Sequence, residues 1–117
     1  METGSVIKVI EMQCPPDLEE EWNTWYNEKH VPQVMKFKGF KRATRYKIAY
    51  GILGDEGKYP NYLTVYEFEN RQAAEAYEPS PEHSANRADF DNDNNWARRG
   101  VKIKRRVHYE FIETWQK

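Results

Sequence analysis

Apolar and polar positions change period several times along this chain, and each change marks an element. Val6 to Gln13 is rich in β-branched residues and has the length of a strand, which Pro15-Pro16 stops. Asp17 with Glu20 three positions on has the capping-box pattern and predicts a helix starting there. At about 100° per residue, Leu18, Trp22, Trp25 and the stem of Lys29 share one stripe. Tyr26 flanks it, and His30 lies just beyond with Asn23 beside it, at the border of the buried and open faces. Pro32 disfavours helical geometry at Val31, so the helix is expected to end or kink near His30. Gly39 opens a second strand, Phe40 to Ala49, followed by a turn at Gly51, Gly54, Asp55 and Gly57. The third strand, Tyr62 to Phe68, alternates clearly: Tyr62, Thr64, Tyr66 and Phe68 on one side, Leu63 and Val65 on the other. Asn70 can cap a short helix through Tyr77. Ser80 before Pro81 starts another over Glu82 to Phe90. That helix should fade into a loop over Asp91 to Asn95, and the last strand should run from Val101 to about Trp115.

The order β-α-β-β-α-β in one sheet is the ferredoxin-like α+β arrangement, an antiparallel four-stranded sheet with helices on one face. The other face also needs cover. Phe40, Tyr46, Ile48, Tyr62, Tyr66 and Phe68 are assigned to it, and they are too apolar to leave in water. The simplest cover is the same face of a second copy, which predicts a homodimer whose two sheets form a barrel.

Composition narrows the picture further. With 117 residues the chain reads as a single domain, 1–117, able to build a real core. Mean hydropathy is −1.03, and no apolar run approaches the roughly 18 residues of a membrane helix. The opening Met-Glu-Thr-Gly-Ser has no secretory pattern, and Cys14 is the single cysteine, so a cytoplasmic location is expected. A net charge of −1 gives no general attraction to nucleic acid or membrane. Arg98, Arg99, Lys102, Lys104, Arg105 and Arg106 form one basic cluster, but on an edge strand such charges discourage aggregation. Aromatic residues make up 15% of the chain, which suits either a core of large side chains or a cavity for a planar ligand.

Trp25-Tyr26-Asn27-Glu28-Lys29-His30-Val31-Pro32, Gly39-Phe40, Arg45-Tyr46, the strand Tyr62 to Phe68, and Tyr77-Glu-Pro-Ser-Pro81-Glu-His83 together resemble the dimeric α+β barrel superfamily. The likeness is to its EthD-like and stress-responsive barrel-type members and spans nearly the whole chain. It implies a cavity-facing histidine after the first helix, which His30 matches. In plant polyketide cyclases of this superfamily a Tyr and a His six residues apart form the catalytic pair, and Tyr77, Pro81 and His83 match that stretch. Ser80 stands where those enzymes have a second histidine. The superfamily also holds hydroxynitrile lyases, haem-degrading enzymes, cofactor-free oxygenases and members without known activity, so fold likeness narrows the chemistry only weakly.

His30 is the first candidate for proton transfer. On the last turn of its helix it would feel the negative end of the dipole, which favours the charged ring and raises its pKa. The plainer role is capping the last helix carbonyls. Tyr77 and His83 could act as donor and base across a carbonyl and its acidic α-carbon, or simply pack and bond a neighbour. Trp22, Trp25, Tyr26, Tyr46 and Tyr66 are candidate substrate-binding walls. Tyr46 and Tyr66 would point into the barrel, where packing at the dimer core would equally explain them. Strict alternation puts Arg45 on the face opposite Tyr46 unless a bulge intervenes, and it is expected to pair with a carboxylate of the first helix. His108 reads as a polar edge-strand residue. No histidine spacing resembles a metal-ligand set, Cys14 has no base nearby, there is no Gly-x-Ser-x-Gly, and no Gly-rich phosphate cradle occurs.

These features predict cofactor-free acid–base catalysis on a small aromatic or polyketide-like carbonyl compound: lyase, decarboxylase, cyclase or isomerase chemistry needing a base and donors for an enolate. His30 would be the base, with His83 and Tyr77 as partners; no metal or cofactor, nucleic acid or membrane is called for. Two other classes remain open: a cofactor-independent oxygenase of the antibiotic-biosynthesis type, and a non-catalytic EthD-like ligand-binding accessory protein.

Overall fold

The computed structural model describes residues 4–52 and 56–117. Gly54 and Asp55 of the expected turn lie outside the described residues. Strand β1 (Val6–Gln13) is followed by a 3-10 turn at Pro16–Leu18, helix α1 (Glu19–Trp25), a π-turn (Tyr26–His30) and helix α2 (Val31–Val34). Strands β2 (Phe40–Lys47) and β3 (Tyr62–Phe68) come next. Helices α3 (Arg71–Tyr77) and α4 (Pro81–Ala88), a second π-turn (Asp89–Asp93), helix α5 (Trp96–Arg99) and strand β4 (Lys102–Glu110) complete the order. The sheet has the order β2-β3-β1-β4 with every neighbouring pair antiparallel. This is the ferredoxin-like sheet, and the molecule is only 20 Å deep in its thinnest direction, one sheet layer and one helix layer. Among the described residues no helix is long and apolar enough to cross a membrane.

Several boundaries differ from the sequence reading. The Asp17–Glu20 capping box does not form: Pro15 and Pro16 hold a 3-10 turn there, and α1 starts at Glu19 with no side-chain cap. Pro32 does not end the helix. The π-turn widens the backbone before it, Val31 N–H bonds back to the Tyr26 carbonyl, and the proline falls in the first turn of α2. Strand β2 stops at Lys47 and β4 at Glu110, short of Ala49 and Trp115; Ile112 and Trp115 in the segment that follows are exposed. The expected loop at Asp91–Asn95 is largely a π-turn, and it leads into α5, whose Trp96 is fully buried. Two caps form as expected, Asn70 accepting from Ala73 N–H (2.8 Å) and Ser80 from His83 N–H (3.1 Å).

The largest correction concerns the sheet faces. Phe40, Tyr62, Tyr66 and Phe68 lie beneath the helices, not on the outer face: Tyr62 packs edge-on to Trp22 (4.8 Å between centroids) and Phe40 to Tyr77 (4.8 Å). Pairing fixes the remainder, because partners in register share a face. Ile7 and Val9 of β1 oppose Glu67 and Val65 of β3 and Tyr109 and Val107 of β4, so this apolar group, with Leu63, forms the outer face. A bulge between Phe40 and Arg42 shifts β2 by one residue. It turns Arg45 toward the helices, opposite Thr64, and leaves Tyr46 on the outer face opposite Leu63. Tyr46 is half exposed.

The core falls into two aromatic groups. One gathers Met12, Cys14, Trp22, Trp25, Tyr26, Tyr62, Phe90, Trp96 and Val101; the other Val6, Val34, Phe40, Tyr66, Phe68, Ala74 and Tyr77. Ile10 packs against both. A cavity lies along the seam between the two groups, lined by residues of both.

Candidate active site at the seam of the core

His30 ends the first π-turn, and Phe90 sits in the second; their rings come within 6.0 Å between centroids. A π-turn redirects the side chains that follow it, and here it swings His30 inward. The imidazole stacks on Trp25 (4.8 Å, 24°) and meets the edge of Tyr26 (4.7 Å, 60°). It is 9% exposed, and its Nδ1 has no hydrogen-bond partner among the described residues. Neither the charged ring nor the helix-end position expected from the sequence is found. His30 lies inside a continuous helical stretch, and burial, reinforced by Arg45 and Arg87, pulls its pKa down to about 4. The ring is therefore neutral at pH 7.

The cavity beside it is lined from β1 by Lys8, Ile10 and Met12, from β2 and β3 by Phe40 and Tyr66, and from β4 by Ile103 and Arg106. The helical layer adds Tyr26, His30, Val34, Tyr77, His83, Asn86, Arg87 and Phe90. Its empty volume is about 470 Å³ with the open solvent at the mouth included. The enclosed part is narrow, with room for about three waters. Tyr66 is 2% exposed, and its hydroxyl, adjacent to the Tyr26 phenol, makes no well-formed hydrogen bond among the described residues. Burial is the main cause that holds the Tyr66 phenol well above its usual pKa, and it raises Tyr26 and Tyr77 as well. All three are proton donors near neutrality. Buried polar groups are normally satisfied, so two unpartnered ones in one cavity suggest a polar guest.

Tyr77 and His83 do come together, with ring centroids 5.0 Å apart. The Tyr77 hydroxyl accepts from Asn86 Nδ2 (2.9 Å) and keeps its own proton to donate. His83 is more tethered: Nδ1 lies 3.0 Å from the Glu78 carbonyl oxygen and Nε2 3.1 Å from the Glu78 carboxylate. Burial lowers its pKa while Glu78 opposes that shift. Glu78 also takes Lys8, and His108 Nε2 stands 3.8 Å away; His108 shares the helix-facing side of the sheet with Lys8 but stays solvent-exposed on the edge strand.

Of the other expected walls, Tyr26 and Tyr66 line the cavity. Trp22 and Trp25 do not: they form the packed layer behind Tyr26 and His30. Tyr46 is on the wrong face, for the bulge described above. Arg45 makes no carboxylate pair among the described residues; it lies 4.1 Å above the Tyr26 ring and donates to Asn27 Oδ1 (2.7 Å). Burial pushes the Cys14 thiol up to about 11, which disfavours a thiolate nucleophile there. Among the described residues no cluster of three potential ligands could hold a metal ion.

The sequence reading missed Lys8, Asn86, Arg87 and Arg106. Lys8 had a signal. It shares one face of the strand with Val6, Ile10 and Met12, an otherwise apolar face, so it was bound to follow them into the core.

This sheet, its helical cover and the cavity between them make a ferredoxin-like α+β subunit. The chain belongs to the family described as Domain of unknown function (DUF4286), whose model matches residues 5–93. An EthD family protein from Bacillus halodurans is similar over 92% of this chain and 99% of its own, with TM-score 0.67 and 14% identity. A candidate antibiotic biosynthesis monooxygenase from Nitrosomonas europaea is similar over 96% of this chain and 94% of its own (TM-score 0.60, 11% identity). A dimeric ferredoxin-like protein of unknown function from Jannaschia is similar over 92% of this chain and 100% of its own (TM-score 0.59, 15% identity). At such identities the likeness concerns the fold. No curated protein sequence matches this chain.

Proposed function

We propose that this chain is a cofactor-free acid–base enzyme acting on a small aromatic or polyketide-like carbonyl compound. The observation that carries the reading is the pairing of His30 and Tyr66, both buried and both with an unpartnered polar atom, in one apolar cavity. His30 serves as the base. Tyr66 and Tyr77 donate to the oxygen on which negative charge develops, and His83 stands beside Tyr77 as the second titratable group. A resting pKa of about 4 makes His30 a weak base toward a carbon acid. The enolate that forms is an anion in dry surroundings, and it would raise the imidazole's affinity for the proton as transfer proceeds. Lyase, decarboxylase, cyclase and isomerase outcomes share this first step.

The test is exchange of the acidic α-proton of aromatic 1,3-dicarbonyl compounds in heavy water, followed by NMR. His30→Gln should slow exchange about a hundredfold or more, and Tyr66→Phe about tenfold or more. Full exchange in the His30 variant would sink the assignment. A second reading, the cofactor-independent oxygenase, draws on Asn86 in the cavity wall, Trp25 against His30 and the monooxygenase-type neighbour. Oxygen consumption during turnover distinguishes it. Tight binding without turnover, indifferent to both histidines, would instead indicate an accessory ligand-binding protein.

The same proposal includes one domain over 1–117 that works as a homodimer. Its support is the outer sheet face, where Ile7, Leu63, Val65 and Val107 are only partly covered and Tyr46 and Tyr109 are exposed. Its apolar centre, flanked by the ion pairs Arg42–Glu67 and Arg105–Glu11, has no second layer among the described residues.

A further inference from the structure

Charge in the cavity wall is one-sided. Lys8, Arg87 and Arg106 contribute to it, and no aspartate or glutamate does. The chain as a whole has a net charge of −1, so this excess is local. The cations come from three elements. Lys8 and Arg106 share the helix-facing side of the sheet: Arg106 pairs in register with Ile10 and is a diagonal neighbour of Lys8, while Arg87 approaches from α4. Two of them are engaged, Lys8 with Glu78 and Arg87 with Asp91 (3.0 Å). Arg106 has no ion-pair partner among the described residues, and its residue is exposed. The exposed Arg106, with the half-buried Arg87 near it, thus marks the mouth, while Lys8 lies buried against Glu78. The opposite end is dry and neutral, with the Tyr66 hydroxyl and the His30 ring waiting for a polar atom.

We infer that the cavity takes a single-ring aromatic ligand bearing a carboxylate, the carboxylate held at the mouth by Arg106 and a neutral carbonyl or hydroxyl oxygen reaching Tyr66 and His30. With room for about three waters in its enclosed part, the interior must widen to take even one ring, and this limits the flat part to one. The carboxylate stays where water still reaches it, which avoids the cost of burying a charge. The guanidinium fork suits a carboxylate in geometry as well as charge. This inference rests on the reading of the cavity as the substrate site and names what that substrate carries.

The experiment is isothermal titration calorimetry with 2-, 3- and 4-hydroxybenzoate and the corresponding hydroxybenzamides, on the wild type and Arg106→Gln. The position is exposed and outside both core clusters, so the variant should fold; circular dichroism checks this. The preferred acid should bind about tenfold or more tightly than its amide, as one charge-assisted contact gives. Arg106→Gln should erase that preference and leave the amide unchanged. Equal binding of acid and amide, or an acid preference untouched by the substitution, overturns the inference while the cavity stays a site for neutral ligands. No binding of either series overturns the cavity reading too.

Discussion

Burial of His30 without a hydrogen bond to Nδ1 has a cost at low pH that can be worked out and measured. Its folded pKa is about 4, against an ordinary value of 6.5. Below pH 6.5 the unfolded chain takes up a proton that the folded chain refuses, so unfolding is favoured as pH falls from 6.5 toward 4. Stability from this group is fully present above 6.5, and the loss levels off below 4. Between pH 7 and pH 4 the difference in proton uptake amounts to about 3 kcal/mol. That is a large share of the stability of a domain this size. Carboxylates such as Glu78 lose stability over the same range, so wild type alone cannot isolate the effect. His30→Phe can, because it keeps a flat ring against Trp25 and removes the titration. Urea unfolding followed by tryptophan fluorescence, at one fixed protein concentration, should show the wild type losing about 3 kcal/mol more than the variant over that range. A difference below about 1 kcal/mol, or an NMR titration of His30 centred near 6.5, would show that the ring is hydrated and the dry-cavity argument false. The same value predicts catalysis already level at pH 6 and above, with no inflection from this base near neutrality.

Three further outcomes follow from particular contacts. A Cβ on Gly39 would stand 2.6 Å from both the Ala73 Cβ and the Phe37 Cε2, so Gly39→Ala should lower stability by about 1–3 kcal/mol in urea unfolding. Lys8 and Glu78 should respond unequally to truncation. Glu78→Ala strands a lysine that is 3% exposed and should cost about 3 kcal/mol, whereas Lys8→Met leaves a half-exposed carboxylate that water can reach and should stay within about 1 kcal/mol of wild type. Equal losses in the two variants would mean that burial of Lys8 is not what governs the pair. Light scattering at micromolar concentration should give twice the 14.0 kDa chain mass, and Val65→Lys on the outer face should shift it to monomer; a wild type already monomeric would rule out the dimer.

How much was legible in the sequence depended on the range of the interactions involved. The element order, the alternation along β3 and the Asn70 and Ser80 caps follow from contacts within a few residues, and local pattern states them. The resemblance spread over the chain was legible as well, and it pointed to the fold that the EthD-family and ferredoxin-like neighbours share. The position of His30 was not. A π-turn precedes Pro32 and takes the proline into the next helix, and no local rule says whether a proline will end a helix or be absorbed by a wider turn. The face carrying the aromatic residues could not be read either, since alternation separates two faces without saying which one meets the helices. Tyr46 was misplaced for a related reason: one extra residue in β2 exchanges the two sides, and nothing in Phe40-Lys41-Arg42 announces it.

The amino-acid order alone therefore determined which segments become strands and helices, that large rings would build the core, and that a histidine would stand among them. Only the tertiary structure decided that this histidine is neutral and buried, that Tyr66 shares its cavity, and that Lys8, Arg87 and Arg106 contribute to the cavity wall. Solvation and charge at a site depend on what distant segments bring to it. Those segments meet only when the sheet pairs and the helices close over it.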